Sequence, residues 1–300
     1  MAIDGAQLSI INNIGPNERH ERMLQHQAYD VAEVSLSSYL VARDRGLPFT
    51  AIPVFPRRLF SQSQMYRHLE SGIESPLDLV GRRVGLASYQ TTLCVQAKGD
   101  LHHEYGVPWK EVHWVTGNAD AVVVDLPREI SVERAPAGVD LGAMLARGEL
   151  AALFVSRLPR SFAEGDRRVG RLFHDPRAEE RAYFARNGFF PIMHLLVFRD
   201  EVLNSNPWLG PAAMDAFARA HAICLRHWED PNWSRLAWGR HLAEEERAAF
   251  GCDPWVSGVA ANRANLERFI AYSHEQGLIG TRMTVESLFD PTVLASRKEN

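Results

Sequence analysis

Short apolar runs alternate with helix-period segments along most of this chain, and that alternation constrains the fold more than any other feature. "YDVAEVS" reads as a strand, and "SSYLVARDRG" as the helix after it, closed by Gly46. "FTAIPVF" is the next strand, ended by Pro56. "RRVGLAS", "EVHWVT", "LAALFVS", "RVGRLF" and "PIMHLLVF" continue the series. "TTLCVQAKGDLHHEYG", "DLGAMLARGE" and "RAEERAYFARNG" supply helices between them. Near the start, "QLSIIN" reads as a strand and "NERHERMLQHQ" as a polar helix, while 61–80 reads as loop and short helix. After residue 199 the pattern is helical. "NPWLGPAAMDAFARAHAICLRHW" has Asn206 as cap and Pro207 at its first position, and "RLAWGRHLAEEERAAF" and "VSGVAANRANLERFIAYSHEQG" follow. The final "SRKEN" reads as frayed. A chain of 300 residues, 46% of them hydrophobic, supports two lobes. The expected architecture is α/β, with one lobe from 1–82 and 192–300, a second lobe from 83–191 inserted into it, and a cleft between.

Net charge is −4 and no Lys/Arg-rich block occurs, so nucleic acid is not expected as a partner. No apolar stretch approaches the ~18 residues of a membrane span. The opening "MAIDGAQLSIINN" lacks the basic start, apolar region and small-residue cleavage site of a secretory signal, which predicts a cytoplasmic protein. Cys94, Cys224 and Cys252 are odd in number and far apart, consistent with a reducing compartment and no zinc ribbon. Adjacent His102 and His103 point to different helix faces, so no metal is expected there.

In open α/β sheets, ligands gather at strand carboxyl ends and helix N-termini. Four stretches qualify. In "AEVSLSSYL", Glu33 is a carboxylate inside an apolar strand and needs a cation, a ligand or a proton. Ser37 and Ser38 follow at the turn into a helix, where they read equally as caps. In "VFPRRLF", Arg57 and Arg58 follow a strand, where an arginine can clamp a carboxylate or simply face solvent. In "GLASYQTT", Tyr89, Gln90, Thr91 and Thr92 form a polar turn suited to an anion. His194 sits within "FFPIMHLLVF", where an aliphatic residue would otherwise be expected. It is either a core histidine or a cleft residue at the end of a crossing strand; side-chain alternation puts Ile192 and His194 on the face opposite Pro191 and Met193.

Taken together, "YDVAEVSLSSYL", "IPVFPRRLF", "DLVGRRVGLASYQTT", "LHHEYGV", "RLFHDPRAEERAYFARNGFFPIMH" and "FRDEVLNSNPW" resemble the 4,5-dihydroxyphthalate decarboxylase family, in the family's order, over most of residues 5–210. The resemblance implies a two-lobe type II periplasmic-binding-protein-like fold with a central cleft. It also implies a carboxy-lyase that removes CO2 from a hydroxylated aromatic carboxylic acid without oxidation or an organic cofactor; no metal ligands are assigned. Relatives of that fold include solute-binding proteins of ABC transporters, so capture of a small carboxylate is the alternative. Glu33 and Ser37 fall in the family's D-v-a-E-x-S-x-S-s stretch, with Ser38 beside them. Arg58 falls on the Arg of V-F-P-x-R, Tyr89, Gln90 and Thr92 on Y-Q-x-T, and His194 on the last residue of F-P-I-M-H. The chemistry then assigns His194 as the acid that protonates the ring carbon. Glu33 accepts from the phenol or holds the imidazolium, and Arg58 anchors a carboxylate. The Ser37–Ser38 turn and the Tyr89–Thr92 turn complete the binding site. Two departures stand out: Ser61-Gln62-Ser63 where the family commonly has Arg-His-Ser, and Ala151 where it has Asp. The chain opens near the family's second strand, so an oligomer contact or a longer native chain is expected over the vacant sheet position.

Overall fold

The computed structural model describes residues 2–230, 233 and 235–295. In chain order the strands are β1 (Val31–Ser35), β2 (Phe49–Arg58), β3 (Met65–His68), β4 (Arg83–Leu86), β5 (His113–Thr116), β6 (Val132–Arg134), β7 (Ala152–Phe154), β8 (Val169–Arg171) and β9 (Ile192–Arg199). The helices are α1 (Pro16–His26), α2 (Leu36–Asp44), α3 (Thr92–Tyr105), α4 (Leu141–Ala146), α5 (Arg160–Ala163), α6 (Pro176–Asn187), α7 (Asp200–Ser205), α8 (Leu209–Glu229), α9 (Gly239–Phe250), α10 (Val259–Glu275) and α11 (Pro291–Ala295). Among the described residues, no helix is long and apolar enough to cross a membrane.

Two sheets carry the lobes. The first has the order β1-β9-β2, with β9 antiparallel to both neighbours. As the central strand, β9 is buried from Ile192 to Phe198, which is why it reads as an unbroken apolar run. The second sheet has the order β6-β5-β4-β7-β3-β8. Its strands β6, β5, β4 and β7 are parallel, and β3 runs antiparallel between β7 and β8.

Several details differ from the sequence reading. Residues 7–12 form no strand, and Ile10 is 67% exposed. Instead α1 packs along the outer edge of β1, and Arg19 Nε donates to the Glu33 carbonyl at 2.9 Å. Helix α1 thus covers part of this edge. Pro56 does not end β2. The register with β9 shifts between Ile52 and Arg57 and again between Arg57 and Arg58, and Pro56 lies exposed on this edge strand, where its missing N–H costs nothing. The segment 61–80 contains β3, a strand too short to show periodicity, and it belongs to the second sheet. The chain therefore enters the second lobe before residue 65, ahead of the expected boundary at 82. Asn206 and Pro207 do not open a helix; Asn206 ends α7 and bonds back to Val202 O, and α8 begins at Leu209. The "SRKEN" tail lies outside the described residues.

One hydrophobic core runs through both lobes. Val34, Tyr39 and Leu195 of the first lobe belong to the same cluster as Val84, Leu86, Trp114 and Phe154 of the second. Helix α3 lies in the middle and is buried from Thr92 to Leu101. It packs on α10 so closely that a side chain at Gly99 would run into the Tyr272 ring. It stops at Gly106, whose left-handed backbone (φ 70°) lets its N–H reach the carbonyls of Leu101 and His102.

Candidate active site

A cleft of about 790 Å³ separates the lobes. The first lobe lines it with His20, Ser35, Ser38, Arg57 and His194; the second with Ser88, Thr91, Thr92, Asp120, Asp140 and Arg157.

His194 and Glu33 meet on the first sheet. Strand register sets Ser35 opposite His194 and Glu33 opposite Leu196, two residues further along. Glu33 Oε1 lies 2.5 Å from His194 Nδ1, and Arg19 Nη2 lies 3.0 Å from Glu33 Oε2. Both carboxylate oxygens are thereby engaged. Burial pushes the Glu33 carboxyl up, but the His194 bond and charge, with Arg19, outweigh it and hold it below the usual range. Burial pulls the His194 imidazole below its ordinary value, with Glu33 opposing and Arg57 and Arg19 assisting. Glu33 is therefore the ionised partner, and its hydrogen bond orients the ring. With Nδ1 taken, Nε2 is the nitrogen left for a ligand. Met193 lines the cleft as well, so alternation does not separate the two at the strand's entry.

The two arginines part company. Arg58 is 3% exposed and faces inward, donating to Phe190 O (2.8 Å), Val256 O (3.0 Å) and Asn262 Oδ1 (2.6 Å). Burial lowers its pKa to about 10. It ties β2 to the segment before β9 and to the start of α10, and it is not a cleft residue. Arg57, paired with His194 across the β2–β9 ladder, lines the cleft instead, and among the described residues its guanidinium has no hydrogen-bond or ion-pair partner. The register shifts after Ile52 and between the two arginines leave Arg57, not Arg58, at the cleft.

The polar turns also divide. Ser35 Oγ and Thr92 Oγ1 are 2.7 Å apart, and Thr92 Oγ1 accepts from the Ser37 N–H at 3.1 Å. This contact joins the starts of α2 and α3 at the cleft wall, where both helix dipoles favour negative charge. Ser38, Thr91 and Thr92 line the cleft. Ser37 is fully buried, and its Oγ has no partner. Tyr89 is buried away from the cleft, with its hydroxyl toward Gln276 O and Lys98 Nζ 3.0 Å from its ring centroid. Gln90 is structural too, since its side-chain amide pairs with both backbone groups of Val122. Neither lines the cleft. The departures at Ser61 and Gln62 lie elsewhere: both are fully buried, and Ser61 Oγ donates to buried Asp100.

Sequence reasoning missed His20 as well as favouring the wrong arginine. His20 is 8% exposed, lines the cleft and meets His194 edge-to-face with ring centroids 5.0 Å apart. It looked like one polar residue among many in "NERHERMLQHQ". The available signal was its spacing, three and four residues before Met23 and Leu24, which puts all three on one buried face.

Known proteins resemble the chain in sequence and in shape. A family model described as NMT1/THI5 like matches residues 4–128. The chain is 35% identical to 4,5-dihydroxyphthalate decarboxylase of Comamonas testosteroni over 292 residues, 94% of this chain and 88% of that one. It is 39% identical to 4,5-dihydroxyphthalate decarboxylase of Pseudomonas putida over 168 residues, 54% of this chain and 65% of that one. The sulfonate-binding protein SsuA of Methylobacillus flagellatus KT superposes with a TM-score of 0.56 at 15% identity, over 92% of this chain and 76% of that one. The fold is thus the two-lobe periplasmic-binding-protein-like type, and the chain belongs to the 4,5-dihydroxyphthalate decarboxylase family.

Proposed function

We propose that this protein is a carboxy-lyase that removes CO2 from a hydroxylated aromatic carboxylic acid resembling 4,5-dihydroxyphthalate. The observation that carries the reading is the Glu33–His194 pair at the cleft, in a chain of this family. A binding protein needs an anchor such as Arg57 but has no use for an oriented acid beside it.

Arg57 pairs with a substrate carboxylate, and the starts of α2 and α3 add positive potential. His194 Nε2 delivers its proton to the ring carbon that bears the leaving carboxylate. A new C–H bond forms, and an electron-donating hydroxyl stabilises the dearomatised ring. The C–CO2 bond then breaks, its electron pair returns to the ring, and CO2 departs. His194 is left neutral and regains a proton from solvent. Glu33, held by Arg19, keeps the imidazole oriented and stabilises its charged form. Exposed free thiols at Cys224 and Cys252 support a reducing, cytoplasmic setting.

Incubation with a panel of hydroxylated phthalates and benzoates, with CO2 and product mass recorded, tests the reading. CO2 release from a dihydroxylated phthalate is expected; binding without CO2 from any member overturns it.

The acid must be protonated in the free enzyme, so kcat/KM falls as pH rises through the His194 pKa. Because burial lowers that pKa, the falling limb lies below the ordinary imidazole value of about 6.5. A bound carboxylate adds negative charge, so the corresponding limb in kcat lies at higher pH. Glu33→Gln removes the group that raises the His194 pKa. It is expected to move both limbs to lower pH and to cut kcat at neutral pH by about 10-fold or more. Steady-state profiles of both proteins check this.

A further inference from the structure

We propose that His20 is the group that recognises the ring hydroxyl, accepting a hydrogen bond from it and so selecting hydroxylated substrates. This rests on the decarboxylase reading and adds a substrate-contacting residue to it.

Among the described residues neither ring nitrogen of His20 has a hydrogen-bond partner, and Nε2 is buried. A buried polar atom left unpaired is uncommon, and at the wall of a cleft a ligand atom is the partner that completes it. The other groups already have matching roles. Arg57 offers a fork for a carboxylate. His194 holds the proton. Glu33 is saturated by His194 and Arg19 and is not among the residues lining the cleft, so it cannot serve the phenol. A ring hydroxyl is a substrate group that these three leave without a partner, and His20 is the cleft side chain beside the acid, 5.0 Å from His194 between ring centroids.

The charge state suits the task. Burial, then the charges of His194, Arg19 and Arg57, push the His20 pKa down to about 3 against the opposing pull of Glu33. The ring is neutral in working solution, so one of its nitrogens is an acceptor. An acceptor on the phenolic O–H lets more electron density flow into the ring as the carbon is protonated, without adding another cation beside Arg57 and His194. A site built to bond a hydroxyl rejects the analogue without one more strongly than an apolar wall does.

Binding in the His194→Asn background, measured by calorimetry, separates recognition from turnover. The probes are 4,5-dihydroxyphthalate and phthalate, the same dicarboxylate without hydroxyls. With His20 present, the dihydroxylated probe is expected to bind at least about 10-fold more tightly. His20→Phe keeps a ring of similar size and removes the acceptor. It is expected to shrink that preference to under about 3-fold while phthalate affinity stays within about 2-fold. Circular dichroism confirms folding, and His20→Leu takes its place should the Phe variant fail to fold. A preference that survives the substitution overturns the proposal alone and leaves the decarboxylase reading standing. Equal weakening of both probes also overturns it, because His20 then only packs against the neighbouring ring. A background that binds neither probe overturns both readings together.

Discussion

His194→Asn is expected to lower kcat by about 100-fold or more while leaving the fold and substrate affinity nearly unchanged. Asn is close in size to part of the imidazole and can still donate to Glu33 from the position Nδ1 holds, 2.5 Å away. It cannot carry a proton to carbon. The drop should appear in kcat, because carboxylate binding rests on Arg57 and the helix starts. A core histidine would behave in the opposite way, with a lower melting temperature and a normal rate per folded molecule. Thermal denaturation and steady-state kinetics on one preparation distinguish the two.

The adjacent arginines should give opposite phenotypes. Arg58→Met removes three hydrogen bonds, one buried and two partly buried, and leaves Asn262 Oδ1 without its donor. About 3 kcal/mol of stability is expected to be lost, a fall in melting temperature of roughly 6–12 °C, with the remaining folded protein fully active. Arg57→Met touches no hydrogen bond or ion pair among the described residues. It should leave stability within about 0.5 kcal/mol and raise KM by 10-fold to 100-fold, since a charge-assisted carboxylate pair is lost. Two melting curves and two KM values decide it. Similar effects from both substitutions would mean that Arg58 reaches the ligand after all.

Glu33 and His194 were legible because each is a titratable group inside an apolar strand, an arrangement that needs a partner. That they partner each other follows from the β1–β9 register, which no local pattern encodes. The Arg57–Arg58 choice was not legible. Alternation fixes the faces of a strand only while the register is continuous, and the irregularity between Ile52 and Arg57 resets it. Tyr89 and Gln90 misled for a related reason: a polar turn before a helix can serve its own loop, as Gln90 does with Val122, as readily as a ligand. β3 was hidden by its length of four residues.

The core that passes through α3 from one lobe to the other bears on how a ligand is admitted. Two lobes with separate interiors can swing apart about their connecting strands at little cost. Here a wide rotation would expose side chains of the shared cluster, Tyr39, Leu86 and Leu195 among them. Each fully buried side chain of this size is worth about 1.5–3 kcal/mol, so such an opening would be scarcely populated. Selectivity then lies in a mouth of fixed width and in groups already set for the ligand, rather than in a jaw that closes. Small-angle scattering should give the same radius of gyration with the cleft empty and saturated, and the rate of capture should rise linearly with ligand concentration, without the plateau that a slow closure imposes.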